Sequence, residues 1–323
     1  MDIPLSLSDA AGASKPALEN MVDKLCAGEP AALARCISLM ESGGAAADRI
    51  HRRIATKVGR AAVIGFTGAP GTGKSTLIDA YIAALRVRGA TIAVAAVDPS
   101  SPIFGGAILG DRVRMRRHAE DEGVFIRSVA SRGHLGGLSE SIHRIVDVMD
   151  AAGRDVVIVE TVGTGQSEVE VAEIADLCIV VNAPNMGDDV QAMKAGVLEI
   201  ADVLVVNKAD LPLARRTTDQ LTNMLKLRQD KRDVPIIETV AIKDAGVETL
   251  ASTLDRLLAD RASDRQKSRE RRMRRLIAQA AGRLVHDRLR DHAGAEMERL
   301  IKAAAAGDIG IAEAAERALK IGG

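Results

Sequence analysis

The sequence has very few aromatic residues. Its 323 positions include no tryptophan and only Phe66, Tyr81, Phe104 and Phe125. This number is too small for the stacking platforms that bind single-stranded nucleic acid. Basic and acidic residues number 44 each, so no overall positive field would attract nucleic acid or an anionic membrane. We therefore expect neither nucleic acid nor a membrane among the partners.

Cysteine and long apolar segments are also scarce. Cys26, Cys36 and Cys178 are too few and too scattered for a disulfide framework or a zinc site. No apolar run approaches the roughly 20 residues that span a bilayer. The first ten residues, "MDIPLSLSDA", lack the basic start and apolar segment of a signal peptide. We expect a cytoplasmic protein in a reducing environment.

Short β-branched runs alternate with helix-length segments from about residue 61. The runs are "AAVIGFT", "TIAVAAVD", "VFIRSV", "DVVIVE", "LCIVVN", "VLVVNK" and "PIIETV". Continuous apolar strands of this kind predict a doubly wound α/β domain whose mostly parallel sheet is covered on both faces. We predict an N-terminal helical extension over residues 1–59, this α/β domain over residues 60–260, and a C-terminal helical arm over residues 261–323.

The predicted arm is rich in charge, with eight lysines and arginines between Arg261 and Arg275. A nucleic-acid patch is one interpretation, but acidic residues are interleaved and an apolar stripe recurs at helical spacing. A second helix, from about Gly294 to Ala306, could fold back on the first. We favour a dimerisation arm, and hence a homodimer. The stripe consists of Met273, Leu276, Ile277, Ala280 and Leu284.

The strongest motif is "GFTGAPGTGKST", which follows a predicted strand and begins a predicted helix. It satisfies G-x-x-x-x-G-K-[ST], a loop whose backbone N–H groups converge on phosphates at a helix N-terminus. Lys74 should neutralise β- and γ-phosphate oxygens, and the Ser75 hydroxyl should bind Mg²⁺. The predicted nucleotide-binding residues here are Gly68, Ala69, Pro70, Gly71, Thr72, Gly73, Lys74, Ser75 and Thr76.

The motif "NKAD" predicts which base is bound. The carboxylate of Asp210 can accept both the N1–H and the 2-amino group of guanine, a pair that adenine lacks, so we expect GTP rather than ATP. A last guanine loop is poorly marked, because "ETVAIKDAG" has Ala241 where a Ser-Ala pair is common. The predicted base-binding residues are Asn207, Lys208, Asp210, Val240, Ala241 and Ile242.

The stretch "DVVIVETVGTGQSE" predicts the γ-phosphate side of the site. Glu160, at a strand end, is the candidate second magnesium carboxylate, and the N–H of Gly163 would sense the γ-phosphate. Gln166 could orient the attacking water, and with Lys74 and Glu160 it completes the predicted catalytic set. Asp98 and Asp111 are candidates for the outer magnesium shell, although each could equally cap a helix.

The stretch "PNMGDDVQAMKAG" is explained locally as a capped helix start, because an aspartate caps and acids favour the positive helix end. Its position between two apolar strands adds a second hypothesis, a moving segment that couples nucleotide state to a partner. The residues concerned are Gly187, Asp188, Asp189 and Lys194.

Taken in order, "GAPGTGKST", "VDPSSPIFGGAILGDRVRM", "SRGHLGGLS", "VETVGTGQSE", "GDDVQAMKAG" and "VNKAD" resemble the MeaB/ArgK family of P-loop GTPases over nearly the whole chain. The resemblance implies a homodimeric GTPase with GTP/GDP and Mg²⁺ as ligands. It also implies a chaperone for an adenosylcobalamin-dependent acyl-CoA mutase that gates cofactor loading and protects or reactivates the mutase.

The resemblance also assigns roles to particular residues. Lys74 and Ser75 match the family's phosphate and Mg²⁺ ligands, and Glu160 matches its Walker B glutamate. Asp98 and Asp111 match the aspartates of its first switch. Residues 160–168 match a second switch and residues 187–196 a third. Relatives commonly have "PGxGDELQGIK" at the third switch, whereas this chain has "PNMGDDVQAMKAG". Because of this departure the partner mutase stays open, and it could act on methylmalonyl-, isobutyryl- or 2-hydroxyisobutyryl-CoA.

Three other functions use the same phosphate loop. An ArgK-like kinase of a small molecule or protein would need an acceptor pocket. A nickel-insertion GTPase would need clustered histidine or cysteine ligands, whereas the six histidines are scattered. A nucleotide-binding scaffold without hydrolysis is the third.

Overall fold

The computed structural model describes most of the chain in two units, Met1–Arg269 and Glu270–Gly323. The described residues are 15–99, 116–118, 120–131, 140–161, 167–184, 195–228, 232–262, 269–270, 273–274, 276–278, 280–282, 284–286 and 294–321.

The first unit contains a seven-stranded sheet in which every neighbouring pair is parallel. The strand order is β3-β2-β4-β1-β5-β6-β7, which confirms the predicted fold class. All seven apolar runs form strands. The strands are β1 (Ala62–Thr67), β2 (Ile92–Pro99), β3 (Val124–Ser131), β4 (Val156–Thr161), β5 (Leu177–Asn182), β6 (Val203–Asn207) and β7 (Ile236–Thr239).

Helices cover both faces of the sheet, and successive residues of each strand point to opposite faces. Ile64 belongs to the core on one face, whereas Val63 belongs to the core on the other. The helices of this unit are α1 (Lys15–Cys26), α2 (Pro30–Ser42), α3 (Gly44–Ile54), α4 (Lys74–Val87), α5 (Glu140–Ala151), α6 (Ser167–Ile174), α7 (Ala195–Ile200), α8 (Ala214–Lys226) and α9 (Val247–Asp260).

The N-terminal helices share a hydrophobic core with one face of the sheet. Leu33, Ile37 and Met40 of α2 are buried in that core, together with residues of α5 and β4. Gly43, at a φ of 71°, ends α2 and is followed at once by α3. The Gly43-Gly44 pair therefore separates two helices within the N-terminal helical region.

Aspartates fix the edge of the sheet where the strands begin. Asp155, Asp176 and Asp202 each stand one residue before a strand. Each carboxylate accepts a hydrogen bond from a backbone N–H at the start of a neighbouring strand, and these charge-assisted bonds help to set the register. The donors to Asp155, Asp176 and Asp202 are the N–H groups of Thr91 at 2.7 Å, Val63 at 2.9 Å and Cys178 at 2.8 Å, respectively.

In the second unit, α10 (Ala295–Ala306) packs against α11 (Ile311–Ile321). Gly307, at a φ of 81°, ends α10, and the next N–H, of Asp308, donates to the carbonyl of Ala303 at 2.9 Å. The sequence predicted α10 but not α11. In the described part of the chain, no helix has both the length and the apolar character required to cross a membrane.

Candidate nucleotide-binding site

The phosphate loop lies between β1 and α4, at the edge where the parallel strands end. Gly68 and Gly73 have φ angles of 137° and 88°, which side chains with a Cβ rarely adopt. A Cβ on Gly68 would also clash with the backbone carbonyl of Val181 in β5, and one on Gly73 would lie 2.5 Å from Asn207 Nδ2 in β6. The loop is therefore packed directly against the ends of two strands.

Lys74 begins α4 and is almost fully buried. Its Nζ donates hydrogen bonds to the carbonyl oxygens of Gly68, at 2.7 Å, and Ala69, at 3.0 Å. The hydroxyl of Thr72 also donates to the carbonyl of Ala69, at 2.9 Å. These bonds hold the ammonium group against the loop, where it can neutralise bound phosphate oxygens.

Ser75 and Glu160 meet beneath the phosphate loop. The Ser75 hydroxyl donates to Glu160 Oε1 at 2.6 Å, and both residues are buried. Pairing of β4 with β1 places Glu160 opposite Phe66, two residues before Gly68. A hydroxyl and a carboxylate are oxygen ligands of the kind that Mg²⁺ prefers, so the residues present fit this ion.

Asn207, at the end of β6, joins the phosphate loop to the predicted last guanine loop. Its Nδ2 donates to the carbonyl of Thr72 at 2.9 Å. Its Oδ1 accepts hydrogen bonds from the Thr239 hydroxyl and from the N–H of Ala241, both at 3.1 Å. The side chain is buried, with an exposed fraction of 2 %, so one amide aligns three segments.

The side chain of Lys208 also contacts the phosphate loop. Its backbone has a φ of 57°, and its Nζ donates to the carbonyl of Gly71 at 2.7 Å. The following N–H, of Ala209, donates to the carbonyl of Thr239 at 3.0 Å. The "NKAD" segment is thus held between the phosphate loop and the end of β7.

Asp210 forms an ion pair with Lys243, with Oδ2 and Nζ 2.9 Å apart. The hydrogen bond from Lys243 holds the pKa of the Asp210 carboxyl below its usual value. Sequence reasoning did not select Lys243, and no spacing rule connects it to a residue 33 positions earlier. The pair lies beside a cleft lined by Gly73, Thr76, Asn207, Lys208, Asp210, Leu211, Val240, Ala241 and Ile242.

Comparison with known proteins assigns the family. A model described as "Methylmalonyl Co-A mutase-associated GTPase MeaB" matches residues 33–298. The chain belongs to this MeaB family. A GTPase-family protein of Pyrococcus abyssi (strain GE5 / Orsay) is 40% identical over 316 residues, which are 95% of this chain and 98% of that protein.

Two further comparisons agree with this assignment. "GTPase ArgK" of Escherichia coli (strain K12) is 39% identical over 243 residues, covering 72% of this chain and 73% of the relative. A solved structure titled "Crystal structure of LAO/AO transport system kinase" superposes with a TM-score of 0.73 at 25% identity, covering 96% of this chain and 98% of that one. The MeaB-family relatives are named as GTPases, so the chain is a GTP-binding GTPase.

In this MeaB-family chain, the structure brings together the predicted phosphate-loop residues, Glu160 and the predicted guanine-binding residues. Pro70 is exposed on the loop, and Thr76 is exposed on the first turn of α4. The backbone of Asp98 lies in β2, two residues beyond Ala96, which pairs with Glu160. The side chain of Asp98 is outside the described part, as are the residues Asp111, Gly163, Gln166, Gly187, Asp188, Asp189 and Lys194.

Proposed function

We propose that this protein is a Mg²⁺-dependent GTPase that serves as a chaperone for an adenosylcobalamin-dependent acyl-CoA mutase. It would hydrolyse GTP to GDP and phosphate, gate cofactor loading, and protect or reactivate the mutase. The observation that carries the hydrolytic part is the 2.6 Å contact of Ser75 with Glu160 beside Lys74. The family description, which names methylmalonyl-CoA mutase, supports the partner.

The described residues suit binding and orientation of the triphosphate. Lys74 would exchange loop carbonyl oxygens for phosphate oxygens, and Ser75 and Glu160 would hold the magnesium ion. When bound, Mg²⁺ would neutralise negative charge that develops on the phosphate oxygens during transfer. Asp98 and Asp111 would complete the outer magnesium shell.

Hydrolysis also needs groups that sense the γ-phosphate and place water. We assign the first role to the N–H of Gly163 and the second to Gln166. Groups supplied in trans contribute about 10³–10⁵ in rate in other GTPases. Slow turnover alone and faster turnover with the mutase are therefore expected.

The third switch, with Gly187, Asp188, Asp189 and Lys194, would pass the nucleotide state to the mutase. Its position supports this role. It lies between the end of β5 and the start of α7, and the phosphate loop packs against β5 at the carbonyl of Val181. A displacement of Gly68 would therefore reach the strand that leads into this segment.

The C-terminal helices would join two copies of the chain. Apolar side chains on them support this, because Ile301, Ile311 and Leu319 have exposed fractions of 60 %, 77 % and 51 %. Exposed apolar residues at this density often mark an interface. Light scattering of the full chain and of an Ile301→Glu variant tests it; a monomeric wild-type chain would contradict the homodimer.

The decisive experiment combines partner capture with hydrolysis. The tagged protein, loaded with GDP or with a non-hydrolysable GTP analogue, is mixed with each of the three candidate mutases. We expect nucleotide-dependent capture of one mutase and faster phosphate release in its presence. The Lys74→Ala variant is the hydrolysis control. Rapid hydrolysis by the isolated protein, unchanged by all three mutases, would refute the chaperone role.

A kinase is the second candidate, because the superposed solved structure carries a kinase title. The same phosphate loop serves water or another acceptor equally well. Tracing γ-labelled phosphate from GTP separates the two reactions. Label recovered only as inorganic phosphate supports the GTPase, whereas label on a protein or small molecule supports the kinase.

A further inference from the structure

An ion pair that the sequence motifs did not predict lies at the rim of the cleft between the phosphate loop, the "NKAD" segment and residues 240–242, hereafter the guanine cleft. Asp210, the proposed reader of the base, contributes one carboxylate oxygen to Lys243 Nζ at 2.9 Å. Lys243 belongs to the last guanine loop, where the sequence departs from the usual Ser-Ala pair. The Asp210 side chain is 35% exposed and the Lys243 side chain is 62% exposed, so the pair lies at the solvent boundary of the cleft.

Both ends of the ion pair have a fixed backbone. Lys243 ends a single turn of 3₁₀ helix, and its N–H donates to the carbonyl of Val240 at 2.9 Å. An antiparallel bridge between Val240 and Ala245 closes that turn. On the other side, the N–H of Leu211 donates to the carbonyl of Lys208 at 3.0 Å. At the rim of the cleft, the lysine therefore extends from one hydrogen-bonded turn to a carboxylate on another hydrogen-bonded turn.

Recognition of guanine requires a particular orientation of the Asp210 carboxylate. Both oxygens must lie in the plane of the purine edge to accept the N1–H and the 2-amino group together. A carboxylate at the rim of a cleft rotates among orientations, and ordering it opposes binding. Each carboxylate oxygen can accept more than one hydrogen bond, so the bond from Lys243 to Oδ2 leaves acceptor capacity for the base.

We propose that Lys243 is a positioning residue that sets base specificity: it holds the Asp210 carboxylate in the orientation that accepts two guanine N–H groups. This rests on the proposed GTPase function and names a determinant of its substrate choice. The lowered pKa of Asp210 agrees with it, because only the ionised carboxylate accepts both bonds. In this proposal Lys243, a charged residue of the same loop, takes the role of the serine that is usual there.

The rival explanation is an ordinary surface ion pair without a role in recognition. Pairs as exposed as this one add little to folding stability, so loss of Lys243 should leave the melting temperature almost unchanged under either explanation. The two differ in base preference. If the pair has no role in recognition, loss of Lys243 leaves the ratio of affinities for two bases unchanged. If Lys243 positions Asp210, its loss changes that ratio.

The experiment measures dissociation constants of the full chain for GDP and for inosine diphosphate, which lacks only the 2-amino group. The variants are Lys243→Met, which keeps the length without the charge, and Lys243→Arg, which keeps the charge. Lys226→Met, at the exposed end of α8, is the matched control. ADP binding to the wild-type chain serves as the reference for the proposed function.

With Lys243→Met we expect GDP affinity to fall about fivefold and inosine diphosphate affinity to fall less than about twofold, in line with loss of one exposed charge-assisted contact. The GDP preference should recover in Lys243→Arg and stay at the wild-type value in Lys226→Met. An unchanged preference in Lys243→Met, or an equal loss for both nucleotides, overturns the inference.

The wild-type data separate this failure from failure of the proposed function. If the wild-type chain prefers GDP to ADP but Lys243→Met keeps the full preference over inosine diphosphate, only the role of Lys243 is wrong. If the wild-type chain shows no preference for GDP over ADP, the proposed GTPase function and this inference fall together.

Discussion

Replacement of Asn207 by alanine is expected to uncouple the phosphate loop from the predicted guanine loops. The amide makes three short hydrogen bonds, to Thr72, Thr239 and Ala241, at 2.9, 3.1 and 3.1 Å, and a fourth of 3.5 Å to the carbonyl of Gly73. Alanine removes the three short bonds and leaves a carbonyl, a hydroxyl and an N–H without this partner. Because the side chain is 2 % exposed, water reaches these groups poorly.

The magnitude follows from the number of groups affected. A buried polar group that loses its partner costs about 1–3 kcal/mol. The Thr239 hydroxyl can rotate and the cleft is close to solvent, so we take the lower end for each group. The sum is about 3 kcal/mol, or a fall in melting temperature of roughly 6–12 °C for a unit of this size.

The matched control is Asn182→Ala. Asn182 also ends a central strand and is buried, with an exposed fraction of 8 %, but its amide makes one long bond, to the carbonyl of Val180 at 3.4 Å. Loss of that bond should cost about 1 kcal/mol or less. Chemical unfolding of both variants, with GDP binding measured in parallel, compares the two asparagines directly.

We further expect Asn207→Ala to bind GDP at least about tenfold more weakly, since two binding loops lose their alignment, and Asn182→Ala to bind it normally. The reasoning is refuted if the two variants differ by less than about 1 kcal/mol in unfolding free energy. It is also refuted if Asn207→Ala keeps wild-type GDP affinity.

Three other substitutions test separate parts of the structure. Glu160→Gln should raise the Mg²⁺ concentration for half-maximal phosphate release by about tenfold or more, because the carboxylate paired with Ser75 loses its charge; an unchanged Mg²⁺ titration would contradict this. Gly68→Ala should abolish GDP binding and lower unfolding free energy by more than about 2 kcal/mol, because the added Cβ clashes and the positive φ is strained; retained calorimetric binding would contradict it. Asp176→Ala should cost about 1.5–3 kcal/mol by removing the acceptor for the N–H of Val63, yet leave GDP affinity unchanged because it lies at the opposite sheet edge; denaturant titration with a binding assay checks both parts.

The sheet and the phosphate loop could be predicted because their signals are local. Most strands contain a continuous apolar run, although Arg127 and Ser128 interrupt β3 and only two apolar residues begin β7. The loop motif stands between one strand and one helix. The N-terminal region was predicted to be helical, but α3 was not predicted as a separate helix because Gly43-Gly44 is an ordinary helix stop. A signal was present, since Ala47, Ile50 and Ile54 recur at spacings of three and four and are buried.

The contacts that organise the site could not be predicted in the same way. Asn207 was selected as part of a motif, but its bonds to Thr72 and Ala241 depend on how three loops meet in the folded sheet. The ion pair of Asp210 with Lys243 joins two loops that no periodicity relates. Such pairs follow from strand order, which brings β6 beside β7, and not from sequence spacing.

Strand order also separates two tasks of the site. The strand that carries the phosphate loop, β1, lies between β4 and β5, and β2 flanks β4. The strands β2, β4 and β5 lead to the three predicted switches, whereas β6 and β7 lead to the predicted guanine loops. The γ-phosphate would therefore be sensed on strands around β1, and the base recognised on the other side of the phosphate loop.

This separation has a consequence for the variants. Loss of Lys243 changes the ion pair beside β7 that we propose acts on the base, which GTP and GDP share, so it should weaken both nucleotides by the same factor. Loss of the Glu160 charge changes the proposed Mg²⁺ site beside β1, so it should weaken GTP more than GDP. Affinities of each variant for GDP and a GTP analogue test this, and a change in the GTP-to-GDP ratio for Lys243→Met would show that the two sides of the site are not independent.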